Sequence, residues 1–118
     1  MYFINEEHEK FYKEKIGQVK QLDCYTKSLI YLLSSNQETR SHFKEIYEIK
    51  TNEINLESLK SPWQTSTSLS ICRLEFNLFG DIISDDYENG VSYLYTVSSI
   101  LKNLNIKNVI EAFKLRFC

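Results

Sequence analysis

The sequence predicts an all-α fold: a compact single domain, residues 1–118, with five or six helices around a central buried helix. Three observations carry that expectation. Apolar residues recur at intervals of three and four along most of the chain, the period of helices with an inward face. Only 3 Gly and 1 Pro occur among 118 residues, too few turn formers for a sandwich of short strands. The stretch 63–81, WQTSTSLSICRLEFNLFGD, is apolar on two sides when wound at about 100° per residue. Leu69, Cys72, Phe76 and Phe79 fall on one side and Ile71, Leu74 and Leu78 nearly opposite, the pattern of a helix enclosed by neighbours.

In chain order, Asn5 is a suitable cap for a first helix of about 15 residues, with acids in its first turn and His8, Phe11, Tyr12, Ile16 and Val19 on one face. Asp23 caps a second, with Tyr25, Leu29, Ile30, Leu32 and Leu33 expected inward. Ser35 to Glu38 has the spacing of a capping box and opens a third helix running to about Ile49, with Phe43, Ile46 and Tyr47 inward. After a polar link at Lys50 to Glu53, Ile54 to Lys60 reads as one or two helical turns closed by Pro62, since the residue before proline avoids the helical region. The central helix runs from about Gln64 to Phe79 and is expected to stop at Gly80 in the left-handed conformation common at helix ends. A loop, Asp81 to Gly90, follows. Val91 to Val97 is rich in β-formers but lacks a partner strand, so it is read as irregular or partly helical. Asn103 or Asn105 starts a last helix, with Ile106, Val109, Ile110, Phe113 and Phe117 on one face.

The composition excludes several classes. Net charge is −2, and acids and bases alternate without a basic stripe, so direct nucleic-acid binding through phosphate neutralisation is not expected. No apolar run reaches the roughly 18–20 residues of a membrane span. The N-terminal MYFINEEHEK is charged almost at once and lacks the apolar core of a signal peptide. Cys24, Cys72 and Cys118 are odd in number and far apart. The chain is therefore read as cytoplasmic, with reduced thiols.

Catalytic constellations are missing as well. His8 and His42 are the only histidines and neither sits in a cysteine motif, so no metal site is expected. No GxGxxG, GxxxxGK[ST] or GxSxG segment occurs, and neither cofactor nor enzymatic activity is expected. Cys72 lies on an apolar side of the central helix, where a thiol packs rather than reacts.

One constellation remains. Ser66, Ser70, Arg73 and Asn77 form a polar ribbon at helical spacing on that helix. Buried polar groups require partners, and an unpaired buried guanidinium would cost several kcal/mol. Either a carboxylate on a facing helix (Asp23, Glu38 or Glu45) completes a structural network, or Arg73 lines a pocket for an anionic or nucleotide-like ligand with Arg40, His42 and Gln64. Trp63 is read as packing over the start of the central helix rather than standing free.

Several stretches also resemble one family. EEHEKFY, D-x-Y-x-K-S-L-I-Y-L-L at Asp23 to Leu33, ETRSHFKEIYE at Glu38 to Glu48, WQTSTS-x-x-x-x-R-L-x-F-N-L-F at Trp63 to Phe79 and EAFKLRF at Glu111 to Phe117 are together similar to uncharacterised small proteins of low-GC Gram-positive bacteria, many in prophages and mobile elements. The Trp63 to Phe79 segment is the most specific part. The chain departs from that pattern at Glu75 and Phe79, where relatives carry Ala and Trp, and a charge at 75 speaks against complete burial of the central helix. Relatives also tend to end in a proline and aromatic extension, where this chain stops at Cys118.

The expected function follows from these elements together. Missing catalytic apparatus, eight Tyr residues and the resemblance to prophage proteins imply an accessory protein acting by protein–protein binding, such as an inhibitor of a host defence complex of the CRISPR effector kind. The expected surface is the acidic loop and its tyrosines: Asp85, Asp86, Tyr87, Glu88, Tyr93 and Tyr95, facing a basic partner. A homodimer would use the same kind of exposed aromatic patch.

Overall fold

Sequence periodicity and structure agree first at the helix caps. The computed structural model describes residues 1–86 and 92–118. Helix α1 (Glu6–Ile16) begins where the Asn5 side chain accepts the His8 N–H, and α2 (Cys24–Leu33) where Asp23 accepts from Thr26. Next come the short helices α3 (Gln37–Ser41) and α4 (Phe43–Ile46), a two-residue hairpin of β1 (Tyr47–Glu48) and β2 (Glu53–Ile54), and a 3₁₀ turn at Leu56–Lys60. Helix α5 (Ser66–Gly80) leads into a loop, then a 3₁₀ turn at Tyr93–Tyr95, α6 (Val97–Leu101) and α7 (Ile106–Arg116). Among the described residues the fold is all-α apart from the hairpin, and it forms one compact unit.

Where local expectations shift, side-chain chemistry explains the shift. The third helix is capped by Asn36, whose carbonyl accepts from Glu38 and Thr39; Ser35 instead returns its hydroxyl to Leu32 O. That helix breaks at His42 and ends by Ile46, short of Ile49. The chain then turns back as an antiparallel pair, Tyr47 opposite Ile54, with Asn52 in the left-handed region at φ 58°, which asparagine tolerates. Gly80 stays inside α5, and Asp81 takes the left-handed position at φ 55°. The segment before α6 is 3₁₀ and helical, and Asn105 caps α7 through Lys107 and Asn108.

The helix at the centre is α2, not α5. Leu29, Ile30, Tyr31, Leu32 and Leu33 are all fully buried, and α2 packs against α7, α5 and α1. Its polar residues are satisfied within the core: the Ser28 hydroxyl donates to Ala112 O at 2.9 Å, and Thr39 caps the end of α2 by donating to Leu33 O at 2.6 Å. Tyr25, expected inward, lies at the open start of α2 and is exposed. His8 is sealed beneath Phe3 and Tyr31. It accepts the Ile4 N–H at Nδ1 and lies 2.9 Å from Tyr31 O at Nε2, so the neutral ring carries its proton on Nε2.

Two further expectations are corrected. Cys24 and Cys118, expected as reduced thiols, are joined as a disulfide with Cα atoms 6.1 Å apart, which ties the end of α7 to the start of α2. Glu75 does not loosen the burial of α5: it is 0% exposed, and neither carboxylate oxygen has a hydrogen-bond partner among the described residues. Burial alone pushes its carboxyl well above the ordinary glutamate value, because low polarity disfavours the charged form.

Candidate functional site

Helix α7 carries two apolar faces, and the more apolar one points outward. Val109 and Ala112 are buried against α2, where a small side chain permits close approach of the helices. Ile106, Ile110, Phe113 and Phe117 are 58%, 47%, 38% and 68% exposed. At helical spacing these four fall within about 60° of arc, a continuous stripe along the whole helix. The sequence pattern places Val109 with them on one face; the structure divides that set between two sides.

Neighbouring groups extend the stripe and hold it rigid. The Arg116 guanidinium stacks on Tyr25, 3.6 Å from the ring centroid, with Phe117 on a neighbouring side at 4.7 Å. Its Nε–H donates to Leu78 O at 2.7 Å, anchoring the end of α7 to α5. At the other edge the Tyr2 N–H donates to Glu111 Oε1 at 3.1 Å, so the lone acid of α7 is already engaged. Lys107 and Lys114, both exposed, line one flank of the stripe without an ion-pair partner among the described residues. The arrangement is an apolar ridge with a positive edge, and large exposed apolar patches of this kind mark interaction sites.

The acidic loop is built differently from its expectation. Asp85 is spent on Arg73: Nε and Nη2 reach its two carboxylate oxygens at 3.2 and 2.9 Å. Partial burial works to raise the Asp85 carboxyl, but the bond and charge of Arg73, helped by Tyr95 and Lys60, hold it below its usual value. Tyr95 is only 8% exposed; burial and the facing Asp85 raise its phenol, although the hydroxyl makes no well-formed hydrogen bond. Asp86 is half-buried, its N–H donated to Ser84, while Tyr93 is 76% exposed. Tyr87 and Glu88 lie outside the described residues.

The polar ribbon of α5 is a support for that loop. Arg73 pairs with Asp85 from the following loop, not with Asp23, Glu38 or Glu45, and Asn77 donates to Ile82 O at 3.2 Å. Ser66 is exposed and Ser70 buried. Arg40 donates to Ser34 O and His42 pairs with Glu45, so the four groups expected around one anion are used in separate places.

The WQTSTS segment is explained by the start of α5. Thr65 and Ser68 form a reciprocal capping box, and Ser68 donates to Gln64 Oε1 at 2.5 Å. Gln64 in turn donates to Ser58 O at 3.1 Å and sits 3.6 Å from Cys72 Sγ, a thiol that burial pushes up to about 12 and so leaves unreactive. Trp63 packs against the core as expected, and its ring lies parallel to His42 with centroids 4.2 Å apart. Glu45 joins the two, taking Trp63 Nε1–H at 2.8 Å and contacting His42 Nδ1 at 3.1 Å.

Among the described residues no cluster of three or more His, Cys, Asp or Glu could hold a metal ion, and no helix is long and apolar enough to cross a membrane. A comparison with protein-family models matches residues 1–118 to DUF6075, a family of unknown function. No curated protein matches, and no solved structure matches.

Proposed function

The chain belongs to the DUF6075 family of unknown function, and from that premise we propose that it acts without catalysis, by binding another protein through the outer face of α7. One observation carries the reading: the stripe Ile106, Ile110, Phe113 and Phe117 faces out, although burying it would have been favourable by roughly 25 cal/mol per Å². A fold that keeps such a ridge exposed while sealing a smaller Val and Ala face has a use for it outside the molecule. Lys107 and Lys114 set the partner's character: an apolar groove edged with acidic side chains. The acidic-loop surface, in which Tyr93 is the strongly exposed member among the described residues, is the weaker alternative because Asp85 already serves Arg73.

Self-association fits this surface less well. An antiparallel pairing of two α7 helices places Lys107 and Lys114 of both copies on the same side, four cations against the Glu111 of each copy, which already accepts from Tyr2. The resemblance to prophage and mobile-element proteins supports an accessory role, with a component of a host defence complex, such as a CRISPR effector, as the partner.

The test is a crosslinked pull-down from a bacterium carrying its own defence systems, comparing the native chain with Ile110→Glu and Phe113→Glu. Both sites are exposed, so circular dichroism should show an unchanged fold. A partner captured by the native chain and by Tyr93→Ala, but lost from both α7 variants, supports the proposal. A partner kept by the α7 variants overturns it. A stable dimer in sedimentation, abolished by Ile110→Glu, would replace the foreign partner with a second copy.

A further inference from the structure

On another part of the surface, the end of α1, helix α4 and the turn after β1 enclose an open pocket of about 540 Å³. Its floor is backed by the almost fully buried Phe43 and Tyr47, its accessible apolar side is Ile49, and Lys15, Lys44 and Lys50 stand around it. The size lies within the range of small-molecule sites, which combine mostly apolar walls with a few polar groups.

The charges are arranged for an anion. None of the three ammonium groups has a carboxylate partner among the described residues. Lys15 is held in place: its Nζ lies 5.2 Å from the ring centroids of both Phe11 and Phe43. The ammonium itself is thus held beside two aromatic rings at the edge of the pocket. Glu48, the one acid lining the pocket, accepts the Lys50 backbone N–H at 3.1 Å, which orders the turn that carries Lys50. Three cations against one carboxylate suit a ligand with at least two negative charges. The apolar side suits a ligand with a flat or apolar body as well, and a bare oxyanion would leave that side unused.

We propose that this pocket binds a small polyanion with an aromatic body, of the nucleotide class, its phosphates among Lys15, Lys44 and Lys50 and its ring over Ile49. The site is separate from α7, so the inference stands or falls independently of the protein-binding reading. It also moves the anionic-ligand expectation from Arg73 to another part of the chain.

Titration of ¹⁵N-labelled protein with ATP, inorganic triphosphate and adenosine tests it. ATP is expected to shift the amides of Lys15 and residues 43–51 in a saturable way, with triphosphate and adenosine each binding more weakly. Replacing one lysine should weaken ATP binding by roughly three- to fivefold, the scale of an exposed charge contact, and Lys15→Gln with Lys50→Gln about tenfold. Both lysines are surface residues, so an unchanged far-ultraviolet spectrum separates lost binding from lost folding, and Ile110→Glu should bind ATP as the native chain does. Shifts absent or scattered over the whole surface at millimolar ATP, or a double variant that binds normally, overturn the site. Triphosphate binding as tightly as ATP overturns the nucleotide class.

Discussion

Arg73 and Asp85 are joined by two parallel contacts, 3.2 and 2.9 Å long, that fasten the loop after α5 onto the middle of that helix. Their side chains are 17% and 29% exposed, so solvent screens the pair only in part. A two-pronged arginine–carboxylate contact in this setting is stronger than an ordinary surface pair. A double-mutant cycle with Arg73→Gln and Asp85→Asn should give a coupling of about 1–2 kcal/mol in urea unfolding. A coupling near zero would mean that the loop is held by other contacts.

Glu75 is a cost that the fold tolerates. Its folded carboxyl titrates above the unfolded value of 4.5, so the associated stability is fully present below about pH 4.5 and is lost as pH rises. Glu75→Met keeps much of the side-chain volume and removes both unsatisfied oxygens. It should stabilise the protein at pH 7.5 by roughly 1–3 kcal/mol, the cost of an unpaired buried polar group, with the gain shrinking toward pH 4.5. Equal urea midpoints at pH 7.5 would show that the carboxylate has a partner in solution.

His8 has the opposite sign. Burial lowers its folded value from 6.5 to about 4, with the Arg40 charge adding to the effect and the contact with Tyr31 O opposing it. The unfolded chain therefore binds a proton between those values that the native state refuses, and stability falls as pH drops from about 6.5 toward 4. The loss should approach roughly 3 kcal/mol. Urea unfolding in the Glu75→Met background isolates this slope from the opposing glutamate. A flat profile between pH 7 and 4.5 in that background would refute a neutral, sealed His8.

Cys24 and Cys118 close a span of 94 residues. A crosslink over so long a loop restricts the unfolded chain and should contribute about 4–5 kcal/mol in the chain-entropy account. Cys24→Ser should lower the unfolding free energy by that order in oxidising buffer and change little with reductant present. Because the bond secures the end of α7, reduction should also increase amide exchange at Leu115 to Phe117 before the rest of the helix. An identical thermal midpoint with and without reductant would exclude a contribution from this bond.

How much of this was legible beforehand depends on the range of the interactions involved. Caps are local, so Asn5 and Asp23 could be read directly and the last helix narrowed to Asn103 or Asn105, because each capping side chain meets a backbone group two or three residues on. The same short range explains why α5 was recognisable, and why WQTSTS proves to be the chemistry of a helix start. The hairpin at Tyr47 and Ile54 was missed because each of its strands is two residues long and carries no period. Glu45 was singled out only as a partner for Arg73; its actual partners are His42 three residues away and Trp63 eighteen away in sequence.

The residue order by itself determined the helical class, the caps at Asn5 and Asp23 and the amphipathic character of each segment, since these depend on neighbours within a turn or two. Only the tertiary structure decided which apolar face of each helix is inside. On α7, close packing against α2 selects the smaller Val109 and Ala112 and turns four larger side chains outward. It also decided that Arg73 meets Asp85 and that Lys15, Lys44 and Lys50 surround one pocket. These choices depend on distances between segments remote in sequence, which hydrophobic period alone does not specify.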